Sequence, residues 1–268
     1  MSTHHNLLEL IVIHKAWIPQ IEQRLGLQLS QLSGLEGANA LCQAMVTSIP
    51  FENLDVLSGI SINDETSHLY QKLILSHRGG VCFELNNFLF ELLTHCGYRA
   101  YRVAARMFVE GELRDVANHI AVVIELDGRK YIADVGDARA MSQIIPMDGS
   151  LGFEHLGITH QIKPIGQDCY QLWLHDINCE KDAESPRYQF IDEPYQRIDF
   201  KEAIAFIEFD ERSIFTKQWV VSLLQGDTRI ALSDEHIVTT SSRGKTITPY
   251  HPNERPSLLA KFFGIVIG

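Results

Sequence analysis

Residues 78–87 read RGGVCFELNN. From Cys82 onward, Leu85, Phe88, Leu89 and Leu92 recur at i, i+3, i+4 and i+7, and Gly97 supplies a stop, so the spacing predicts a helix over 82–95. Cys82 therefore opens a helix. The first-turn N–H groups of a helix have no acceptor within it, and the macrodipole favours an anion there. A thiolate is such an anion, so this setting favours a nucleophile over an inert thiol. The same N–H groups suit the oxyanion of an acyl intermediate. Gly79 and Gly80 are expected to let the chain turn sharply and a substrate come close. The plainer reading is a small apolar cysteine beginning a core helix, which is the commoner use of the residue.

Working outward, the chain changes character once. Upstream, Leu7, Leu8, Ile11, Ile13, Trp17, Ile21 and Leu25 follow helical spacing up to Gly26, with Pro19 dividing the run into two short helices. Residues 35–48 form a further helix that stops before Ile49–Pro50. HLYQKLILSHRGG (68–80) reads as a helix closed by glycine. Downstream, segments such as YRAYRVAARMFVE, NHIAVVIELDGRKYIADVG and CYQLWLHDI are β-branched and aromatic, with a hairpin signal at Asp127–Gly128. A helix over 199–213, a β meander and a short closing helix complete the chain. The expected fold is α+β in three parts: a helical bundle over 1–97, an antiparallel β-barrel or sandwich over 98–197 and a smaller α/β piece over 198–268.

Composition bounds the function. The chain has 268 residues, 45% hydrophobic and 21% charged, enough to bury a core without staples. A net charge of −11 argues against generic binding to nucleic acid or an anionic membrane. No apolar run approaches the ~18 residues of a membrane span, and the N-terminus lacks the pattern of a signal peptide. The five cysteines (Cys42, Cys82, Cys96, Cys169 and Cys179) are odd in number and lack CxxC pairing, so reduced thiols and a cytoplasmic location are expected. No paired ligand spacing of the zinc type is present, and no metal is expected.

A nucleophilic thiol needs a base, and the base needs an orienting acceptor. His119 begins the first strand of the predicted hairpin and Asp134 ends the second. Counted from the turn, both fall near its open end. Each has a plainer use, His119 as a surface strand residue and Asp134 as a turn former before Gly136. Together with Cys82 they make a Cys–His–Asp constellation.

RGGVCFELN matches the RGGxCxELN signature of the arylamine N-acetyltransferases at every fixed position. IPFENLDVLSG (49–59) resembles the family's N-terminal signature, ADVGDA its aspartate segment, and FFGIVI its closing motif. The resemblance implies a papain-like arrangement of helical bundle, β-barrel and α/β lid, with a Cys82–His119–Asp134 triad. It implies acyl transfer by a ping-pong route, in which acetyl-CoA as co-substrate acylates Cys82 and a primary arylamine, arylhydroxylamine or hydrazine takes the acetyl group, as in xenobiotic metabolism. Phe51, Val81 and Asp137 are expected at the substrate site, and Arg78, Glu84 and Glu52 in a supporting charge network. The chain departs from the family at Asp137–Ala138, where Phe-Gly is usual, and at Met45, where a histidine is usual. An aspartate at 137 either favours a cationic or polar amine or points to solvent. The CoA contacts stay unassigned; Arg229, Arg243 and Lys245 are basic residues that could meet its phosphates, with solvated charge the plainer use. Two rival functions stand beside this one: an amide-forming acyltransferase with a longer or carrier-bound donor, and a Cys–His–Asp hydrolase.

Overall fold

The computed structural model describes residues 13–176 and 184–267. Leu7, Leu8, Ile11 and Cys179 lie outside the described residues.

A 3-10 turn over Lys15–Trp17 runs into α1 (Ile18–Leu25). Pro19 sits in the first turn of α1, where its missing N–H would have had no partner, and Gly26 closes the helix at φ 68°. Then come α2 (Gly34–Ser48), the two-residue strand β1 (Phe51–Glu52) and α3 (Leu54–Leu57). The helix expected over 68–80 is different in kind. α4 (Thr66–Leu69) passes directly into a π-helical turn over Tyr70–Leu75, and the chain leaves it through His77 at φ 52°. No glycine closes it. The wider turn buries Tyr70, Leu73 and Ile74 together with Lys72, whose ammonium meets Asp55 and Glu84 inside. α5 (Cys82–His95) follows with the predicted bounds, and Leu85, Phe88, Leu89 and Leu92 lie in the core.

The barrel strands are β2 (Arg99–Val109), β3 (Glu112–Leu113), β4 (His119–Leu126), β5 (Arg129–Ala133), β6 (Ile145–Pro146), β7 (Leu151–His155), β8 (Ile158–Gly166), β9 (Cys169–Asp176) and β10 (Glu184–Ile191). They pair antiparallel in the order β6-β5-β4-β2-β10-β9-β8-β7, with β3 on β2. The ends of that order, β6 and β7, lie against each other, so the sheet nearly closes. β4 is buried on both faces: Ile120, Val122 and Ile124 pack toward α5, while Ala121 and Val123 fill the barrel. That double burial is why its sequence is an apolar run and not an alternation. The β4–β5 turn puts Asp127 and Gly128 both at positive φ, as a two-residue hairpin demands.

The last part holds α6 (Lys201–Phe209), the meander β11 (Val221–Gln225), β12 (Thr228–Leu232), β13 (His236–Ser241) and β14 (Gly244–Pro249), and α7 (Arg255–Phe263). Its sheet runs β1-β11-β12-β13-β14. The edge strand is thus supplied by residues 51–52, with Phe51 opposite Ser222 and Glu52 opposite Val221. Leu54 packs beside α7 in the same apolar cluster. The fold is α+β, the papain-like arrangement of helices, antiparallel barrel and smaller α/β lid.

Candidate active site

Cys82 is the first residue of α5, and Val81 before it is extended at φ −85°, ψ 176°. Valine has no oxygen to cap the helix. Glu84 does half that work, its Oε2 accepting the Val81 N–H at 3.1 Å. The glycines ahead of Val81 have negative φ and serve closeness, not a sharp turn. A Cβ on Gly79 would stand 2.0 Å from the Pro50 carbonyl oxygen, and one on Gly80 2.7 Å from Glu84 Oε2. They let the 50–52 segment run alongside: Gly80 N–H donates to Pro50 O at 3.2 Å, and Glu52 N–H to Gly80 O at 3.0 Å. What approaches the glycines is the protein itself.

Beneath this segment lies a chain of charges. Arg78 donates to Glu52 Oε1 at 2.8 Å and to Asp55 Oδ1 at 2.7 Å, and Lys72 reaches Asp55 Oδ2 and Glu84 Oε1, each at 2.7 Å. The π-helical turn brings Lys72 to these acids. Glu52 also accepts the N–H of Leu54 at 2.8 Å and of Gly79 at 3.3 Å. Each buried acid is therefore matched, as burial of charge requires. Burial still pushes the Glu84 carboxyl up to about 7 despite Lys72 beside it.

His119 and Asp134 meet at the open end of the β4–β5 hairpin, with His119 Nε2 2.7 Å from Asp134 Oδ2. Extending the ladder from Val122 opposite Ala133 places Asp134 opposite Ala121, so its side chain shares a face with His119. Cys82 lies within hydrogen-bond reach of the ring. Burial opposes the charged imidazole, but the charges of Asp134 and Cys82 outweigh it and hold His119 well above its ordinary pKa. Asn86, one helical turn past Cys82, locks the two parts together. Its Nδ2 donates to Asp134 Oδ1 at 2.8 Å and to Ile120 O at 2.7 Å, while its Oδ1 accepts the Val135 N–H at 2.9 Å. Gly136 presses on the start of α5: a Cβ there would stand 2.7 Å from the Cys82 Cα.

Cys82, His119, Phe51, Asp137, Arg187 and Phe215 are among the walls of a cavity of about 110 Å³. Beside it runs a cleft of about 380 Å³ that shares Met107, Asn118, Arg187, Ile214 and Phe215. Val81, next to Cys82, is buried and is not among the walls of this cavity. Asp137 does not reach solvent. It is 5% exposed and accepts from Arg187 Nε at 2.8 Å and Nη2 at 2.9 Å. Burial would raise its carboxyl, but Arg187 wins and holds it well below the usual carboxylate range. Met45 is core. Arg229 is enclosed near Arg139 and Arg187, whereas Arg243 and Lys245 stand exposed at the β13–β14 turn. Asn86 and Arg187 escaped the sequence analysis. Asn86 had a signal, its i+4 spacing from Cys82; Arg187 had none, being fifty residues from its partner.

Among the described residues no group of three or more potential metal ligands stands together, and no helix is long and apolar enough to cross a membrane. A family profile described as N-acetyltransferase matches residues 34–268. An arylamine N-acetyltransferase of Mycolicibacterium smegmatis is 26% identical over 227 residues, covering 82% of this chain and 80% of that protein. Arylamine N-acetyltransferase 2 of Rattus norvegicus is 25% identical over 218 residues, 75% of each chain. Among solved structures, an arylamine N-acetyltransferase of Bacillus cereus, described as having a unique Cys-His-Glu catalytic triad, superposes with a TM-score of 0.84 at 22% identity, covering 95% of this chain and 100% of that one. The Mycobacterium marinum enzyme in complex with CoA gives 0.84 at 20% identity, covering 92% of each. The fold and these matches define a class of transferases, named for placing an acetyl group on nitrogen. This chain belongs to the arylamine N-acetyltransferase family.

Proposed function

We propose that the protein moves an acetyl group from acetyl-CoA to a primary arylamine, arylhydroxylamine or hydrazine by a ping-pong route through Cys82. The observation that carries this is the geometry at the head of α5: a thiol at a helix N-terminus, within reach of His119, which Asp134 holds at 2.7 Å. Because Asp134 takes Nε2, the ring presents Nδ1 to the sulfur. His119 accepts the thiol proton, and the resulting thiolate pairs with the imidazolium. Sγ attacks the acetyl carbonyl, first-turn N–H groups of α5 meet the oxyanion, and CoA departs with the proton returned by His119. The amine then attacks the acetyl-cysteine carbonyl. His119 takes the amine proton as the C–S bond breaks, restoring the thiolate. The small cavity limits water beside the thioester. We place the helical part at 1–97, the barrel at 98–197 and the lid at 198–268, and the reduced thiols fit a cytoplasmic enzyme.

The test is intact mass after incubation with acetyl-CoA alone. One acetyl adduct, absent in Cys82→Ala and discharged by an aromatic amine or hydrazine, is the expected result. Cys82→Ala should keep the circular dichroism spectrum and Tm nearly unchanged. No adduct with acetyl-CoA, but one with longer or carrier-bound acyl groups, would replace the donor. Turnover surviving in Cys82→Ala would sink the mechanism.

A further inference from the structure

The position where the family usually carries phenylalanine holds half of an ion pair in this chain. Asp137 alone would suggest a site for a cationic amine. Its surroundings reverse that sign. Both carboxylate oxygens are taken by Arg187, and Oδ1 also accepts the Arg139 N–H at 3.0 Å. Both oxygens of the acid are engaged within the protein.

Arg187 is the side that faces outward. In β10 the register shifts between Pro186 and Tyr188, leaving Arg187 as the extra residue of a β-bulge. A bulge re-aims one side chain out of the alternation. Here it puts Arg187 into the wall of both the Cys82 cavity and the adjoining cleft. Asp137 is 4% exposed in its side chain while Arg187 keeps 24%. Two of the three guanidinium nitrogens bind Asp137; Nη1 makes no hydrogen bond among the described residues. The bidentate grip fixes the fork, so little rotamer freedom is lost when a ligand meets it. The cleft wall is mixed in charge: Arg114 and Arg139 line it together with Glu110, and burial and then Arg139 lower the pKa of the nearby Arg229. Arg212, also on the cleft, is taken up by Asp210 and Asp115.

We propose that Arg187, aimed by the bulge and held by Asp137, is a specificity-determining residue that selects acceptors bearing an anionic substituent, such as an aromatic amine with a ring carboxylate. The proposal rests on the acetyltransferase reading above. A carboxylate could meet Nη1 while the amine reaches the acetylated sulfur across the same small cavity. The phosphates of CoA share this anionic chemistry, and the experiment separates the two.

The probes are 4-aminobenzoate and 4-aminobenzamide, which share a ring and differ in charge. In a ping-pong enzyme kcat/KM for the acceptor reports only the second half-reaction. The wild type should favour 4-aminobenzoate by about tenfold, the size of one charge-assisted contact. Asp137→Leu/Arg187→Leu removes the pair without stranding a charge, and should bring the ratio to about one. Arg187→Lys keeps the charge but loses the fork, and should give an intermediate ratio if the double variant does not fold. A wild-type ratio near one overturns the proposal, and so does a ratio unchanged in the variants. A variant effect confined to kcat/KM for acetyl-CoA assigns the arginine to the donor phosphates, and also overturns it. Calorimetric titration of both probes into unacetylated protein repeats the comparison without turnover. Absence of an acetyl adduct would therefore sink the proposed function, while equal affinities would sink this inference.

Discussion

Replacing Asp134 by asparagine keeps its shape and removes its charge. Burial already opposes the His119 imidazolium, and Asp134 is the larger of the two charges that hold its pKa up. With that charge gone the pKa falls, so the alkaline limb of the pH–rate profile should move to lower pH, and kcat should drop by about 10³–10⁴-fold. A limb that stays in place would remove Asp134 from its role. Asn86→Leu should cost about 2–4 kcal/mol, because it strands the Val135 N–H and a lone pair of Asp134 in a buried site; urea unfolding would read it. At this scale the sequence was informative where chemistry is local. Cys82 is announced by the helix it starts, and His119 and Asp134 by counting from one turn. The reading of Asp137 as pointing to solvent was wrong: the side chain is buried against Arg187. Its meaning depends on Arg187, which a barrel closure and a bulge bring from fifty positions away. No local pattern encodes such a meeting.

The element that matters most is the approach to α5. Gly79→Ala would push a methyl to 2.0 Å from the Pro50 oxygen, in backbone that cannot step aside. A loss of about 3 kcal/mol or more in thermal or denaturant unfolding is expected; a neutral substitution would contradict the close approach. Glu84 gives a pH signature. Its carboxyl is raised from 4.5 to about 7 in the folded protein. Between those values the folded chain holds a proton that the unfolded chain has released, so stability falls as pH rises through the window. Glu84→Gln lacks this titration. The excess Tm of the wild type over the variant should be greatest near pH 4.5 and shrink toward 7; a gap that widens with pH would refute it. The helix over 82–95 was legible to the residue because its apolar spacing is regular. The segment over 68–80 was not, since a π-turn has no spacing signature and exists here to bring Lys72 to its acids.

For the whole molecule, one amide ties the helical part to the lid beside the β1–β11 pairing. Asn53 donates to Phe215 O and Gln218 O, each at 2.8 Å, and accepts the Val220 N–H at 2.9 Å. Phe215 and Val220 are cavity walls. Asn53→Leu should loosen those walls and admit water, so the acetylated protein should lose its adduct several-fold faster without any amine, as followed by intact mass. An unchanged rate would mean the lid is held elsewhere. The passage from helices to strands was readable from the change of character near residue 98. The crossing of β1 into the last sheet was not, because two residues carry no periodicity.

That crossing has a consequence for how the protein is made. Phe51 is bridged to Gly80 early in the chain, but its other partner, Ser222, leaves the ribosome some 170 residues after it. Chain growth of roughly 5–20 residues per second leaves that edge bare for on the order of ten seconds or more. α5 and the barrel can pack during this interval, yet the cavity has no far wall until β11 docks. A nascent chain therefore holds Cys82 open to the cell, and the last sheet to be synthesised is the one that closes it.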